Sequence, residues 1–297
     1  MAIRSKLYAP GNDLRKLAGV GKFGADAVIL DLEDAVPVSE KKAARQLVKE
    51  AIPKVKQTVP HVYVRINPLG DKTSFSVGQG ADDVEAIVCQ GLDGVVVPKV
   101  ESERELDEID ARLAAMETKV GLPVGILEVV PIIETAKGLW NAYEIATRIR
   151  RVRSLNLGAG DLTRDLNIEW SRDEQELSYA RSRLVLISRA AGIQPPTDSV
   201  WVRLADDDGF EDSARRARRM GFQGKSCIHP KQVEVVNRVF SASPEELARA
   251  QRIVAAFDDA LAKGSASIQV DGEFVDYPLA EKARQLLQQQ AAQEGKE

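Results

Sequence analysis

The feature that most constrains this chain is a repeated unit of about 30 residues, in which a short aliphatic run precedes a longer amphipathic segment. Runs such as Ala27–Leu32 are almost continuously apolar, which is typical of parallel strands buried on both faces. Glycine and proline punctuate the units. Eight such runs occur between Ser5 and Ile228, so the sequence predicts an α/β fold in which eight strands and their helices form a (β/α)8 TIM barrel.

An open, doubly wound sheet would use similar units and is the main alternative. Such a sheet carries a glycine-rich loop after a strand when it binds a dinucleotide. Here Gly158-Ala159-Gly160 continues directly into Asp161-Leu162, which favours the barrel. We expect residues 1–240 to form the barrel as a catalytic domain. Residues 241–297 are expected to form a C-terminal extension of helix, hairpin and helix, with Asp271-Gly272 at the hairpin turn.

Charge and hydropathy exclude several classes of protein. The chain of 297 residues has a net charge of −4 and a pI of about 5.5, which gives no electrostatic basis for binding nucleic acid. No apolar run reaches the roughly 18 to 20 residues that a membrane span needs. The first residues lack the apolar core of a signal peptide. We therefore expect a cytoplasmic protein with neither nucleic-acid nor membrane partners.

Two neighbouring predicted strands end in a carboxylate. The run from Ile126 to Ile133 is followed by Glu134, and the run from Ser154 to Gly160 is followed by Asp161. In a TIM barrel the active site lies at the carboxyl ends of the strands. Carboxylate oxygens suit a hard cation such as Mg²⁺, which binds one or two of them and completes its shell with water and substrate oxygens. We therefore predict that Glu134 and Asp161 hold one Mg²⁺.

Further charged residues follow other strands. Glu33 and Asp34 follow the second strand and would reach the metal through its waters; an alternative role as caps of the next helix stays open. Arg65 ends the third strand, where it could stabilise an oxyanion, or else form a structural salt bridge to Glu33 or Glu134. Zinc is disfavoured because the chain has only two histidines and no Cys/His ligand spacing.

Lys99 follows the fourth strand and could be a Schiff-base nucleophile. Carboxylates nearby would favour its charged form, which is the reverse of what an amine nucleophile needs. His229, which precedes Pro230, is expected to have a structural role rather than to act as a base.

Short motifs along almost the whole chain resemble those of the citrate lyase β-subunit-like family. That family includes malyl-CoA and citramalyl-CoA lyases, within a broader group of Mg-dependent aldolases that act on 2-oxo acids. The motifs occur in order as Pro10-Gly11, Asp31-Leu32-Glu33-Asp34, Val64-Arg65-Ile66-Asn67, Pro98-Lys99, Pro131-Ile132-Ile133-Glu134, Gly158 to Leu162, Gly224 to Pro230, and Phe274-Val275-Asp276-Tyr277-Pro278.

The resemblance implies roles for particular residues. Glu134 and Asp161 correspond to the Mg²⁺ ligands, and Arg65 to a residue that contacts the oxygens of the 2-oxo acid and the thioester. Asp276 corresponds to a catalytic acid/base. In the family this acid is supplied by the tail of a neighbouring subunit, which implies a homotrimer or a hexamer.

The first loop and the metal loop are implied in binding substrate. Asn12, Arg15 and Lys16 would lie near the phosphates of CoA, and Gly160 would border the substrate or CoA. Gly160 is also a departure, because the family often has an acidic residue before the metal-binding aspartate. A second departure is Leu166-Asn167-Ile168, where a glycine is often found. Both border the metal site, so they bear on which acid and acyl group fit.

The function implied is reversible cleavage of a 3-hydroxyacyl-CoA of the malyl-CoA or citramalyl-CoA type. Its products would be acetyl-CoA and a 2-oxo acid, glyoxylate or pyruvate. Three alternatives stay open: a malyl-CoA thioesterase, a citrate lyase β subunit that acts on a carrier-protein thioester, and an aldolase that uses no CoA.

Overall fold

The computed structural model describes residues 3–72 and 78–294. They form two compact units, Ile3–Phe240 and the residues from Ser241 onward. The remaining residues of the two predicted ranges, 1–240 and 241–297, lie outside the described parts of the chain. None of the described helices combines the length and apolar character that a membrane crossing requires.

The first unit contains a closed barrel, which confirms the predicted TIM-barrel fold. Its strands lie in chain order around the barrel, each parallel to its neighbours. The strands are β1 Ser5–Pro10, β2 Ala27–Asp31, β3 His61–Arg65, β4 Gly94–Val97, β5 Glu128–Ile133, β6 Asn156–Leu157, β7 Thr197–Asp198 and β8 Gly224–Cys227.

Helices connect the strands on the outside. They are α1 Leu14–Gly19, α2 Lys41–Val55, α3 Gly80–Ile87, α4 Glu103–Val120, α5 Ala136–Trp140, α6 Ala142–Thr147, α7 Ala159–Asp165, α8 Ser178–Ala190, α9 Asp207–Met220 and α10 Lys231–Phe240. Short 3-10 helices occur at Val20–Phe23, Val38–Glu40 and Gln175–Leu177.

Apolar side chains divide between two layers of the first unit. A small cluster inside the barrel includes Ile29, Tyr63, Val130 and Ile132. A much larger cluster lies between the strands and the helices. This division explains the nearly continuous apolar runs, because both faces of each strand are covered.

Two strands are shorter than predicted. The sequence predicts strands over residues 154–160 and 198–204, but the structure has only the two-residue strands β6 and β7 there, and β7 overlaps its predicted range at Asp198 alone. After β6 the chain turns at once into α7, so Asp161 lies in the first turn of a helix rather than at the end of a strand. The aliphatic run marks the strand correctly, but the length of backbone pairing depends on neighbours that periodicity does not show.

Helix caps were predicted with mixed success. The pattern Ser102-Glu103-Arg104-Glu105 predicts a capping box, and Ser102 forms it at the start of α4. Ser243, which the sequence predicts as an N-cap before Pro244, caps the first helix of the extension and forms a capping box there. The pattern Ser171-Arg172-Asp173-Glu174 also predicts a capping box that opens a long helix, and this prediction is wrong. Glu174 has a left-handed backbone with φ 50°, its side chain is buried, and α8 begins only at Ser178.

The second unit has the predicted order of helix, hairpin and helix. It consists of α11 Pro244–Ala262, β9 Ile268–Val270, β10 Glu273–Val275 and α12 Tyr277–Glu294. Asp271 and Gly272 form the turn with positive φ, as predicted. A small core of Phe257, Val275 and Ala280 holds these elements together.

Candidate active site

A cavity of about 440 Å³ opens at the carboxyl ends of the barrel strands. Its wall brings together five residues predicted from the sequence, namely Asp34, Arg65, Glu134, Gly160 and Asp161. Four of them carry charges, and they come from four different strand-to-helix connections or strand ends. The parallel register explains this convergence, because it places all carboxyl ends at one end of the barrel.

Glu134 follows β5 and is only 3% exposed. Its Oε1 accepts a hydrogen bond from the backbone N–H of Lys99 at 2.8 Å. Lys99 has φ 53°, a left-handed conformation that is unfavourable for a side chain of this size. The strained turn after β4 therefore aims its N–H at the carboxylate.

Burial raises the pKa of Glu134 to about 8, and the nearby charges of Glu33 and Asp161 add to the shift. Three acidic groups in such a confined space repel one another when ionised. A divalent cation between Glu134 and Asp161 would relieve that repulsion and keep both carboxylates ionised at neutral pH.

Asp161 stands in the first turn of α7, where a helix N-terminus favours negative charge. Its Oδ1 accepts a hydrogen bond from Arg164 Nη2 at 2.7 Å, one helical turn away. Its Oδ2 lies 3.8 Å from Lys99 Nζ. The carboxylate is partly exposed to the cavity.

Gly158 is a close-approach glycine beside the predicted metal site. A Cβ atom at this position would lie 2.2 Å from Glu134 Oε2 and 2.5 Å from Glu134 Cβ. The missing side chain at the end of β6 therefore leaves the space that the Glu134 carboxylate occupies.

The residues present fit a hard divalent cation. Glu134 and Asp161 supply oxygen ligands only, as Mg²⁺ prefers. In the described parts of the chain, no three His, Cys, Asp or Glu side chains cluster closely enough to hold a metal by themselves. A cation at this site would thus keep open positions for water and for substrate oxygens.

Arg65 is held rigidly at the cavity wall. Its Nε and Nη2 donate to the two oxygens of Asp31 at 2.7 and 2.6 Å, and its Nη1 lies 2.8 Å from Glu33 Oε2. The guanidinium also lies over the ring of Tyr8, 5.1 Å from its centroid. The salt bridge to Glu33, one alternative for Arg65, is thus present. Asp31 is a further partner, which the sequence analysis noted within a motif but did not pair with Arg65.

Glu33 and Asp34 occupy different environments. Glu33 is buried behind the cavity wall, where Lys99 and Arg65 pair with its carboxylate. Asp34 faces the cavity, 3.6 Å from Lys99 Nζ and 3.9 Å from Arg65 Nη1. Neither forms a side-chain cap of α2, which is preceded by Glu40.

Lys99 is a structural cation. Burial alone would lower its pKa, but the charges of Glu134 and Glu33 outweigh burial and raise it. A protonated amine cannot attack a carbonyl, so the Schiff-base alternative is disfavoured.

His229 Nδ1 accepts a hydrogen bond from the backbone N–H of Lys231 at 3.2 Å, a local contact at the start of α10.

The first loop borders a second cavity of about 640 Å³. Asn12, Arg15 and Lys16 line it, and Pro10 and Ala35 line both cavities. Asn12 Nδ2 donates to Glu40 Oε2 at 2.7 Å. The predicted CoA residues thus adjoin the carboxylate cavity along a shared wall.

Asp276 lies in the second unit, between β10 and α12. Its backbone carbonyl accepts a hydrogen bond from Ala280 N at 2.9 Å. Its side-chain Oδ1 is 3.5 Å from Leu279 N. Within its own unit the carboxylate is therefore only loosely held at the start of α12.

Some residues of the cavity wall were missed from the sequence. Asn156, Ser199 and Ser226 line it from β6, the segment after β7, and β8. They are uncharged, and the sequence-based search considered charged groups at strand ends. Two signals were available: Asn156 stands between the apolar residues Leu155 and Leu157, and Ser226 lies within the motif Gly224 to Pro230.

Together, the closed parallel barrel and the carboxylates at its mouth define a (β/α)8-barrel enzyme with a centre suited to a hard cation. The chain belongs to the HpcH/HpaI aldolase/citrate lyase family, whose model matches residues 4–230. The sequence-based assignment is thus confirmed, and the protein is an enzyme of this lyase family.

Similar proteins cover almost the whole chain. A citrate lyase subunit beta of Leuconostoc mesenteroides subsp. cremoris is 37% identical over 96% of this chain and 92% of its own length. A (3S)-malyl-CoA thioesterase of Cereibacter sphaeroides is 34% identical, over 96% of this chain and 93% of its own.

A solved structure agrees with the predicted cofactor. The CitE protein of Mycobacterium tuberculosis, in complex with magnesium, acetoacetate and coenzyme A, has a TM-score of 0.77 and 30% identity. The superposition covers 97% of each chain. Magnesium, predicted here from the two carboxylates, is thus present in a similar protein of the family.

Proposed function

We propose that the protein is a Mg²⁺-dependent carbon–carbon lyase that reversibly cleaves a 3-hydroxyacyl-CoA of the malyl-CoA or citramalyl-CoA type. Its products would be acetyl-CoA and a small 2-oxo acid, glyoxylate or pyruvate. The observation that carries this proposal is the pair Glu134 and Asp161 beside a fixed Arg65 in one cavity. The similar proteins named for malyl-CoA and crystallised with magnesium and coenzyme A support it.

Glu134 and Asp161 would hold the Mg²⁺. When bound, the cation would supply electrophilic polarisation of the hydroxyl and carboxylate oxygens of the substrate. The chain's own contribution is to keep both carboxylates ionised and fixed. The N–H of Lys99 and the space at Gly158 fix Glu134, and the helix terminus fixes Asp161.

Arg65 would stabilise the enolate oxygen of acetyl-CoA as the carbon–carbon bond breaks. Asp31 and Glu33 hold its guanidinium in place before the reaction, so little reorganisation is needed when negative charge develops. The remaining Arg65 N–H capacity toward the cavity would then contact the thioester oxygen.

Asp276 would protonate the enolate carbon in the cleavage direction and remove a proton from acetyl-CoA in the condensation direction. We propose that it comes from the extension of a neighbouring subunit, which would make the enzyme a homotrimer or a hexamer. General acid–base catalysis of this kind contributes roughly 10² to 10⁴ in rate. We also propose, from the sequence alone, that the protein is located in the cytoplasm.

The cavity formed by the first loop would hold the phosphates of CoA. Arg15 and Lys16 supply positive charge beside Asn12, and Gly160 leaves space at the border of the carboxylate cavity. A thioester could thus extend from the first cavity into the second along their shared wall.

Product analysis of purified protein tests the proposal. Malyl-CoA and citramalyl-CoA would each be supplied with Mg²⁺ and, separately, with a chelator. We expect metal-dependent release of acetyl-CoA together with an equal amount of glyoxylate or pyruvate. Failure to cleave either thioester in the presence of Mg²⁺ would reject the proposal.

A thioesterase is the second candidate, because one similar protein is named as a (3S)-malyl-CoA thioesterase. Water would then cleave the thioester bond, so free CoA and malate would appear without glyoxylate. The same assay separates the two reactions.

A β subunit acting on a carrier-protein thioester is a third candidate, favoured by the citrate lyase relative. It predicts cleavage only after the acyl group is placed on a carrier protein.

A further inference from the structure

A polar pair lies inside the barrel, below the predicted metal site. Asn156 on β6 lines the cavity although it is only 1% exposed, and Lys6 on β1 is equally buried. Lys6 Nζ donates a hydrogen bond to Asn156 Oδ1 at 3.1 Å. Neither residue belongs to the family motifs noted in the sequence, and the proposed mechanism does not use them.

The hydrogen bond from Lys6 fixes which way the Asn156 amide faces. An ammonium group can only donate, so the amide oxygen must face Lys6 and the NH2 group must face away from it. Asn156 Nδ2 is buried and has no hydrogen-bond partner among the described residues. Since buried polar atoms are nearly always paired, this donor is available for an acceptor that enters the cavity.

Strand register places that donor one layer below Glu134. Asn156 and Ile132 are partners in the register of β5 and β6, and Glu134 follows Ile132 by two residues. Two residues along a strand span roughly 6 to 7 Å and return to the same face. A small molecule bound at the carboxylates would therefore extend down toward Asn156.

Lys6 is unusual for a buried lysine. No carboxylate of the described residues lies within 4.0 Å of its Nζ, and the ring of Tyr63 lies nearby, with 5.9 Å from Nζ to the ring centroid. Burial lowers its pKa to about 8, while the more distant charge of Glu128 acts in the opposite direction. At neutral pH its positive charge lies under the cavity floor, where it favours an anionic ligand.

We propose that Asn156 is a ligand-binding residue that donates its amide N–H to an oxygen of the small 2-oxo acid, and that Lys6 is the residue that positions it. This inference rests on the proposed function, because it concerns the acid that the lyase would release. In this arrangement the buried end of the cavity, at Asn156, would recognise the acid, and the open end of the cavity would recognise the thioester.

The main test replaces both partners with apolar residues of similar shape, in the double variant Lys6→Met/Asn156→Leu. Removing a buried hydrogen-bonded pair together leaves no unpaired group, so the thermal midpoint should stay close to that of wild type. Binding of pyruvate to the Mg²⁺-loaded protein, measured by calorimetry, should weaken about 10-fold or more. The KM for the acid in the condensation direction should rise in parallel.

Two further variants separate recognition from structure. Lys6→Met alone keeps the amide but frees it to rotate, and should weaken pyruvate binding by a smaller factor. Tyr63→Phe is the matched control, because it removes a buried hydroxyl that donates to Glu128 Oε2 at 2.9 Å and keeps the ring that lies beside Lys6. That control should bind pyruvate like wild type.

Unchanged pyruvate binding in the folded double variant would overturn the inference, as would wild-type protein that binds neither pyruvate nor glyoxylate in the presence of Mg²⁺. Wild-type protein that binds pyruvate through Asn156 yet cleaves no CoA thioester would instead reject the proposed function alone.

Discussion

Arg65 depends for its position on Asp31, a residue one strand away. The two are partners in the register of β2 and β3, and their side chains form a two-point ion pair. The sequence identified Arg65 from its place at a strand end, but its pairing with Asp31 could not be inferred, because that pairing depends on the register of β2 and β3. The same holds for the contact between Lys99 N–H and Glu134.

Replacing Arg65 with lysine tests this rigid placement. Lysine keeps the charge but cannot make the two-point contact with Asp31. We expect kcat for thioester cleavage to fall by roughly 10²-fold or more, with Mg²⁺ binding retained, as measured by steady-state kinetics and calorimetry. Arg45→Lys is the matched control, because Arg45 also pairs with a buried carboxylate: its Nε donates to Asp83 and its Nη2 to Gln79, each at 2.6 Å, in the helical layer. Equal losses in both variants would contradict a catalytic role for Arg65.

The elements that hold the site differ in how well sequence predicts them. The strands are recognisable because their aliphatic runs must be covered on both faces. The turn from β6 into α7 is not recognisable in the sequence, because its close packing depends on Gly158 lying against the side chain of Glu134, which follows β5. Asp161 was therefore identified as an acid of the site while its secondary structure was assigned wrongly.

Gly158→Ala, in the turn between β6 and α7, should disrupt the predicted metal site. The added Cβ would collide with both the carboxylate and the Cβ of Glu134, so Glu134 must move. We expect Mg²⁺ affinity, measured by calorimetry, to fall about 10-fold or more, with the circular dichroism spectrum retained. In Gly160→Ala the new Cβ would meet only Trp170, at 3.4 Å, and Mg²⁺ binding should persist. Normal Mg²⁺ affinity in Gly158→Ala would argue against Glu134 as a ligand.

A buried ionic cluster joins strands β7 and β8 to helix α8. Asp198 on β7 accepts from Arg181 on α8 at 2.9 Å and from Lys225 on β8 at 2.6 Å. Arg181 also pairs with Glu174, at 3.0 Å. Glu174 pairs with Arg181 while its backbone is left-handed. The capping pattern at Ser171 did not predict this backbone conformation.

The cluster makes stability depend on pH in the acidic range. Burial alone would raise the pKa of Asp198, but the charges of Arg181 and Lys225 lower it to about 2. A carboxylate whose pKa is lowered by folding stabilises the protein above its unfolded pKa near 4 and loses that contribution as the pH falls toward 2. Ionised Asp198 therefore contributes to the free energy of unfolding at pH 7, and this contribution is progressively lost below about pH 4.

Asp198→Asn should lower the free energy of unfolding by about 3 to 5 kcal/mol at pH 7, because two buried cations lose their charged partner. The difference from wild type should narrow below about pH 4, as measured by urea denaturation at pH 7 and pH 3. Asp107→Asn, which removes an exposed pair with Arg148, should change little at either pH. A difference from wild type that is independent of pH would contradict this assignment.

At the scale of the whole molecule, the residues of the proposed reaction belong to two units. The carboxylates and Arg65 lie in the barrel, and Asp276 lies in the extension. The predicted boundary after residue 240 rested on Ser243-Pro244, a pattern typical of a helix start. The role of Asp276, by contrast, came only from resemblance, because nothing in its local pattern distinguishes it from other acids at helix starts.

Mixing two inactive variants tests whether Asp276 acts across subunits. Glu134→Gln and Asp276→Asn would each lose most activity alone. Co-expressed in equal amounts, they should regain about a quarter of wild-type activity in a homo-oligomer, because half of the barrels keep Glu134 and half of the neighbours keep Asp276. No recovery in mixed oligomers would place Asp276 in its own subunit's site or outside the reaction.

The most direct test of the proposed chemistry compares wild type with Glu134→Gln, each supplied with malyl-CoA and citramalyl-CoA and saturating Mg²⁺. We expect wild type to release acetyl-CoA and the matching 2-oxo acid in equal amounts, and the variant to release neither above the level seen with chelator. Free CoA without a 2-oxo acid from wild type, or undiminished cleavage by Glu134→Gln, would contradict a lyase centred on this carboxylate.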